Sequence, residues 1–213
     1  MCIEFRNVSL NLSKKSILLD INITIKKGFV LLYGESGSGK SSFLKLINML
    51  YSPTSGNIFY KGKNINSYQT SIWRSMCMLV RQMPMFVEGS VVDNIKFPFS
   101  FRANKDKVFD DKLLDNLLDR FKLNKTILQK DVSTLSGGEA QRISIIRTVL
   151  LKPKIYLFDE PTSALDVYLQ DDIFSFIKEI SINHICIVCS HAKEAEKWCD
   201  VSLRVANKRV LYD

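Results

Sequence analysis

The chain has 213 residues, of which 46% are hydrophobic, 10% aromatic and 24% charged, so it holds enough apolar material for a sizeable core and is neither disordered nor collagen-like. Against 22 Asp and Glu, 30 Lys and Arg leave a formal net charge of +8, which favours phosphate-bearing or membrane-surface partners and equally suits a solvated basic surface. No apolar run approaches the roughly 20 residues of a spanning helix and no charged-then-apolar leader opens the chain, so a single cytoplasmic domain is expected.

Ile3, Phe5 and Val8 predict a first strand. Ile21, Ile23 and Ile25, alternating with Asn22, Thr24 and Lys26, predict a second with one wet face, giving an N-terminal antiparallel sheet. After Lys27 and Gly28, the continuous apolar run 29–33 reads as a buried strand leading into glycine-rich sequence. Phe43, Leu44, Leu46, Ile47 and Leu50 then predict a helix that stops near Pro53 and Gly56. Residues 77–80 form a further core strand, followed by a connector punctuated by Pro84, Gly89 and Pro98. Leu114, Leu117, Leu118 and Phe121 mark one face of a helix within 107–121, so that 83–135 reads as a mainly helical insertion. Strand 155–158, a helix over 165–180, strand 185–189 and strand 201–205 restore a β/α alternation. The expected fold is α/β. Residues 1–82 and 136–213 form a parallel-sheet core with its antiparallel β-subdomain, and 83–135 a helical subdomain.

Five cysteines (Cys2, Cys77, Cys186, Cys189, Cys199) are an odd count that suits a reducing compartment better than a disulfide framework. Cys186 and Cys189 have metal-like spacing, but strand alternation sends them to opposite faces, which argues against a metal site.

Gly34-Glu35-Ser36-Gly37-Ser38-Gly39-Lys40-Ser41, with Ser42 behind it, fits G-x-x-x-x-G-K-[ST] between a predicted strand and a predicted helix. Inward-turned backbone N–H groups and the positive end of the helix favour a polyphosphate. Lys40 is placed to reach the β and γ phosphates, and the Ser41 hydroxyl to ligate magnesium. The apolar strand Ile155-Tyr156-Leu157-Phe158 delivers Asp159 and Glu160 at its carboxyl end, where doubly wound sheets bind ligands. Asp159 is expected to hold Mg²⁺ through water, and Glu160 to polarise the attacking water as general base.

Leu135-Ser136-Gly137-Gly138-Glu139, followed by Gln141 and the helix face Ile143, Ile146 and Leu150, narrows the class. A serine hydroxyl and glycine amides at a helix start are again an anion-holding arrangement. With this motif the chain resembles, over essentially its whole length, the ATP-binding subunits of ABC transporters, whose signature is LSGGE or LSGGQ. The resemblance implies the P-loop NTPase fold of ABC ATPases, ATP and Mg²⁺ as ligands, and a head-to-tail pair of ATPase subunits, most simply a homodimer. In such a pair Ser136, Gly137 and Gly138 face the phosphate loop of the second subunit. It also implies that Gln82 approaches Mg²⁺ and senses a membrane partner, that Ser163-Ala164-Leu165-Asp166 touches the opposite subunit, and that His191 contacts the γ-phosphate. One departure is plain: the position of the family's adenine-stacking aromatic, about two dozen residues before the phosphate loop, is Leu12.

With no membrane span of its own, the chain is expected at the inner face of the membrane beside a separate polytopic permease subunit. The apolar connector Met83-Pro84-Met85-Phe86-Val87 reads either as the socket for a cytoplasmic helix of that permease or as core of the insertion. Residues 86–102 and 118–147 look similar to bacterial iron-export ATP-binding proteins; an importer-type ATPase is the alternative. A soluble ABC ATPase acting on nucleic acid would carry a long coiled coil or tandem ATPase domains, and one phosphate loop without heptads speaks against it, so no nucleic-acid partner is expected. The signature together with Asp159 and Glu160 speaks against a small-molecule kinase.

Overall fold

A computed structural model describes residues 1–191 and 193–213. Strands β1 (Cys2–Leu12) and β2 (Lys15–Lys26) pair antiparallel across a turn in which Ser13 and Lys14 take φ values of 47° and 67°, the left-handed geometry that matches strand twist in a two-residue hairpin. The chain continues through β3 (Gly28–Tyr33), α1 (Lys40–Ile47), β4 (Ser55–Tyr60), β5 (Lys63–Asn64), α2 (Thr70–Met76) and β6 (Cys77–Val80). Then come α3 (Val91–Lys96), α4 (Asp111–Arg120), α5 (Gly137–Leu150), β7 (Ile155–Asp159), α6 (Val167–Ser181), β8 (Ile185–Cys189), β9 (Val201–Ala206) and β10 (Arg209–Tyr212).

Two sheets result. An antiparallel one runs β2-β1-β4-β5, and a six-stranded one runs β10-β9-β3-β8-β7-β6, parallel except for β10. The apolar runs of the parallel strands are continuous because both faces are covered. Val30, Leu32, Ile155, Leu157, Ile185 and Ile187 join a core shared with the antiparallel sheet and α1, whereas Phe29, Leu31, Tyr156, Phe158, Cys186 and Val188 join a second core under α3–α6. Cys186 and Cys189 therefore lie on opposite faces, and no cluster of three or more His, Cys, Asp or Glu side chains suited to a metal occurs among the described residues.

Some predicted boundaries move. The helix after the phosphate loop ends at Ile47, not near Pro53, because Asn48 leaves helical geometry and Met49 takes φ 58°. The Asp110 carboxylate accepts from Leu113 N–H and starts α4 at Asp111, and Asp166 likewise caps α6. Strands β4, β5 and β10 and helix α2 carry no clear pattern in the sequence, because few of their side chains are buried.

What positions the site is the strand order. Because β3, β8, β7 and β6 are adjacent and parallel, the phosphate loop after β3, His191 after β8, Glu160 after β7 and Gln82 after β6 emerge along one carboxyl edge.

Candidate active site

Residues 34–39 span the turn from β3 to α1. Gly34 has φ 147°, and a Cβ there would stand 2.3 Å from the Val205 carbonyl oxygen; Gly39, at φ 110°, is the residue from which α1 starts. A Cβ on Gly37 would meet nothing within 4 Å, so the inside of the loop is open. The first turn of α1 holds no acidic residue, and its N–H groups face the loop with the positive end of the helix.

Lys40 is only 6% exposed, and its Nζ donates to the Gly34 and Glu35 carbonyls at 2.8 and 2.9 Å, with no carboxylate partner among the described residues. The buried Ser38 hydroxyl likewise finds no hydrogen-bond partner. A buried ammonium with no carboxylate in contact and an orphaned hydroxyl around an open cradle fit a bound polyphosphate.

Ser41 Oγ donates to Asp159 Oδ1 at 2.9 Å, joining the first turn of α1 to the end of β7 across 118 positions of sequence. Hydroxyl and carboxylate oxygens are the hard donors Mg²⁺ takes, so this pair fits the ion. Ser42 follows in the same turn, half-buried, while Gln82 is exposed beyond β6 and does not line the phosphate-loop cavity.

Glu160 leaves β7 with φ 51°. Its backbone N–H donates to the Cys189 carbonyl at 2.9 Å, and its Oε1 lies 3.5 Å from His191 Nε2 and 3.9 Å from Cys189 Sγ. Burial raises the Glu160 carboxyl above its ordinary value, against the opposing pull of His191 and Lys40. The Cys189 thiol, buried beside two carboxylates, is pushed up as well and stands as an S–H donor. The sequence marks Cys189 only by its spacing from Cys186 and carries no signal for a place beside Glu160, which follows from the register that sets it opposite Asp159.

A cavity of about 970 Å³ lies over the loop, lined by Gly34, Glu35, Ser36, Gly37, Ser38 and His191 with Lys15, Ser16, Ile17, Tyr33 and Arg204 among others. Leu12 is not in that wall but packs against the core. Nor do Ser136, Gly137 and Gly138 line it. Ser136 caps α5 instead: its Oγ accepts from Glu139 N–H at 3.2 Å, and Glu139 Oε2 accepts from Ser136 N–H at 2.8 Å. Gly138 packs so closely that a Cβ would lie 3.2 Å from the Ala164 carbonyl, which joins the signature to the 163–166 loop of the same chain.

At the other end of α5, the Arg147 guanidinium lies 5.0 Å from the Phe86 ring centroid and donates to the Met85 carbonyl at 3.0 Å. The connector divides between the two environments. Phe86 is half-buried and packs against the core, while Met83 and Met85 are 78% and 63% exposed. Met85, Ile72, Met78, Leu79, Phe97 and Phe101 line a groove of about 920 Å³.

The model of the ABC transporter family matches residues 18–163, more than half of the chain, including the phosphate loop, the signature and the Asp159–Glu160 pair. The chain belongs to the ABC transporter family. Like other ABC proteins it binds and hydrolyses ATP, as the ATPase subunit of a transporter. It is 38% identical over 165 residues to the probable iron export ATP-binding protein FetA of Escherichia coli, covering 77% of this chain and 72% of that one. To the glutamine transport ATP-binding protein GlnQ of the same organism it is 36% identical over 185 residues, 84% and 76% of the two chains. Among solved ABC structures, cbiO1 from Clostridium perfringens, part of the complex cbiONQ, superposes with a TM-score of 0.81 at 25% identity over 98% of this chain and 86% of that one. The fold is also that of the ATP-binding cassette MJ0796, solved as a post-hydrolysis dimer with ADP and Pi, with a TM-score of 0.85 at 24% identity over 99% and 97% of the chains. No helix among the described residues is long and apolar enough to cross a membrane.

Proposed function

We propose that two copies of this chain work head to tail, peripheral to the inner face of the membrane, and drive export of a metal ion, iron, through a separate polytopic permease. The observation that carries the pairing is that Ser136 and its glycines, at the start of a helix, stand outside the cavity over their own phosphate loop, where another copy's phosphate is what they could meet. The export reading is supported by the 38% identity to the probable iron export protein.

In this reading Lys40 and the loop amides hold the β and γ phosphates, while Ser41, Asp159 and Gln82 would hold Mg²⁺, which when bound would supply charge to neutralise the phosphates. Glu160, raised by burial, takes the proton of the attacking water; His191, beside it, contacts the γ-phosphate. Ser136, Gly137 and Gly138 of the second copy close over the same phosphate. Closure is passed along α5 to the connector that Arg147 grips, and the groove at Met85 takes a cytoplasmic helix of the permease.

Light scattering on the Glu160→Gln variant with and without ATP tests the pairing: ATP-dependent dimers are expected, and monomers at saturating ATP, both alone and in complex with the permease, refute it. Cellular iron accumulation in a strain lacking the chain tests the cargo; iron levels and iron tolerance unchanged by deletion refute that part alone.

A further inference from the structure

The Glu160 carboxylate has few side-chain ties. Among the described residues these are His191 Nε2 at 3.5 Å and Cys189 Sγ at 3.9 Å. The two partners differ in kind: the His191 side chain is 52% exposed, whereas Cys189 is 1% exposed at the end of a central strand. Cys189 also stands opposite Asp159 in the β7–β8 register, and its carbonyl accepts the Glu160 backbone N–H at 2.9 Å. One residue thus meets both the main chain and the side chain of Glu160, at the point where the chain turns out of β7 with φ 51°.

We propose that Cys189 is a positioning residue for hydrolysis, its S–H donating to Glu160 Oε1 and holding the carboxylate in the orientation from which it acts on water. This rests on the reading of Glu160 as the general base. The division of labour follows from burial. An exposed His191 side chain is free to turn toward a phosphate, and when it does, the carboxylate keeps the His191 backbone N–H and, as its side-chain tie, the thiol. A thiol is a weak donor, but a buried one has no water competing for it. A valine is close to it in shape and donates nothing, whereas a serine keeps a donor at the cost of a shorter reach.

The test is steady-state ATPase kinetics on the full chain with Cys189→Val and Cys189→Ser, each alone and combined with Glu160→Gln, with melting midpoints measured for all. The expected result for Cys189→Val is a fall in kcat of about three- to tenfold, the scale of one modest hydrogen bond, with ATP KM within about twofold of the parent. Cys189→Ser should recover most of that loss, and Cys189→Val should add nothing in the Glu160→Gln background. Unchanged kcat in Cys189→Val, equal losses in the Val and Ser variants, or a further loss on top of Glu160→Gln would each overturn the role of Cys189 and leave the Glu160 assignment standing. Near-normal hydrolysis by Glu160→Gln alone would overturn that assignment, and this proposal with it. If Cys189→Val does not fold, Cys189→Ala carries the same comparison.

Discussion

The carboxyl edge of the six-stranded sheet and the groove beside α2 and α5 are built in opposite ways. Along the edge, polar side chains are buried and held within the chain: Lys40 by two loop carbonyls, Ser41 by Asp159, Glu160 between His191 and Cys189. In the groove, Met85, Phe97 and Phe101 are 63%, 45% and 47% exposed, and Arg102 and Lys105 on its rim have no carboxylate partner among the described residues. Reacting groups need fixed positions before the substrate arrives, so they sit on rigid strand ends. In the proposed reading the groove is a docking surface, completed only by its partner, and its apolar side chains stay in water until then.

That contrast can be broken most sharply at Glu160. Replacing it with Gln is expected to lower kcat by about 100- to 10,000-fold while ATP binding persists, the range for losing a general base; a coupled ATPase assay with a nucleotide-binding titration checks both halves. Lys40→Ala is expected to act on binding instead, weakening ATP affinity by at least about tenfold in calorimetry, since a charge-assisted contact is lost from a buried site. Similar affinities for parent and variant would place the phosphates elsewhere.

Gly34→Ala tests the rigidity of the edge. A Cβ at 2.3 Å from the Val205 oxygen forces β3 and β9 apart, and a loss of about 1–3 kcal/mol in urea unfolding is expected. The groove gives the reverse outcome. Met85→Glu with Ile72→Glu, both at exposed positions, should leave the ATPase activity of the isolated chain within about twofold and its stability within about 0.5 kcal/mol, yet abolish co-purification with the permease. Retained co-purification would remove the groove from the proposed interface.

The smallest effect concerns Lys107, whose Nζ donates to the Ser75 and Leu151 carbonyls at 2.8 and 2.7 Å and so ties the segment before α4 to the ends of α2 and α5. Burial, with Lys154 nearby, lowers its pKa to about 8. The unfolded chain therefore binds the proton more tightly than the folded one, and the parent should gain stability over Lys107→Met as pH rises from about 8 toward the unfolded value of roughly 10.4. Denaturation of both proteins at several pH values across that window measures the difference; a gap that narrows with rising pH reverses the sign.

Much of this molecule was legible in its sequence because the relevant physics is local. A glycine pattern with Lys40 and Ser41, four apolar residues ending in carboxylates, and a serine three places before a glutamate each describe one turn, one strand end or one cap, and the structure shows those elements. The weak elements were not legible. In β4 only Ile58 and Tyr60 are buried, and β10 buries Val210 alone, so their pairing depends on β1 and β9 rather than on any pattern of their own.

By itself, then, the sequence determined the phosphate-holding chemistry, the two-faced burial of the central strands and the place of the signature at a helix start, since each is set by neighbours within about a dozen residues. Only the tertiary structure decided which strand ends lie side by side, and with that the contact of Ser41 with Asp159, of Cys189 with Glu160 and of Arg147 with Phe86. Strand order is settled by the competition of all the apolar faces for two cores, and no single segment carries that outcome in its own residues.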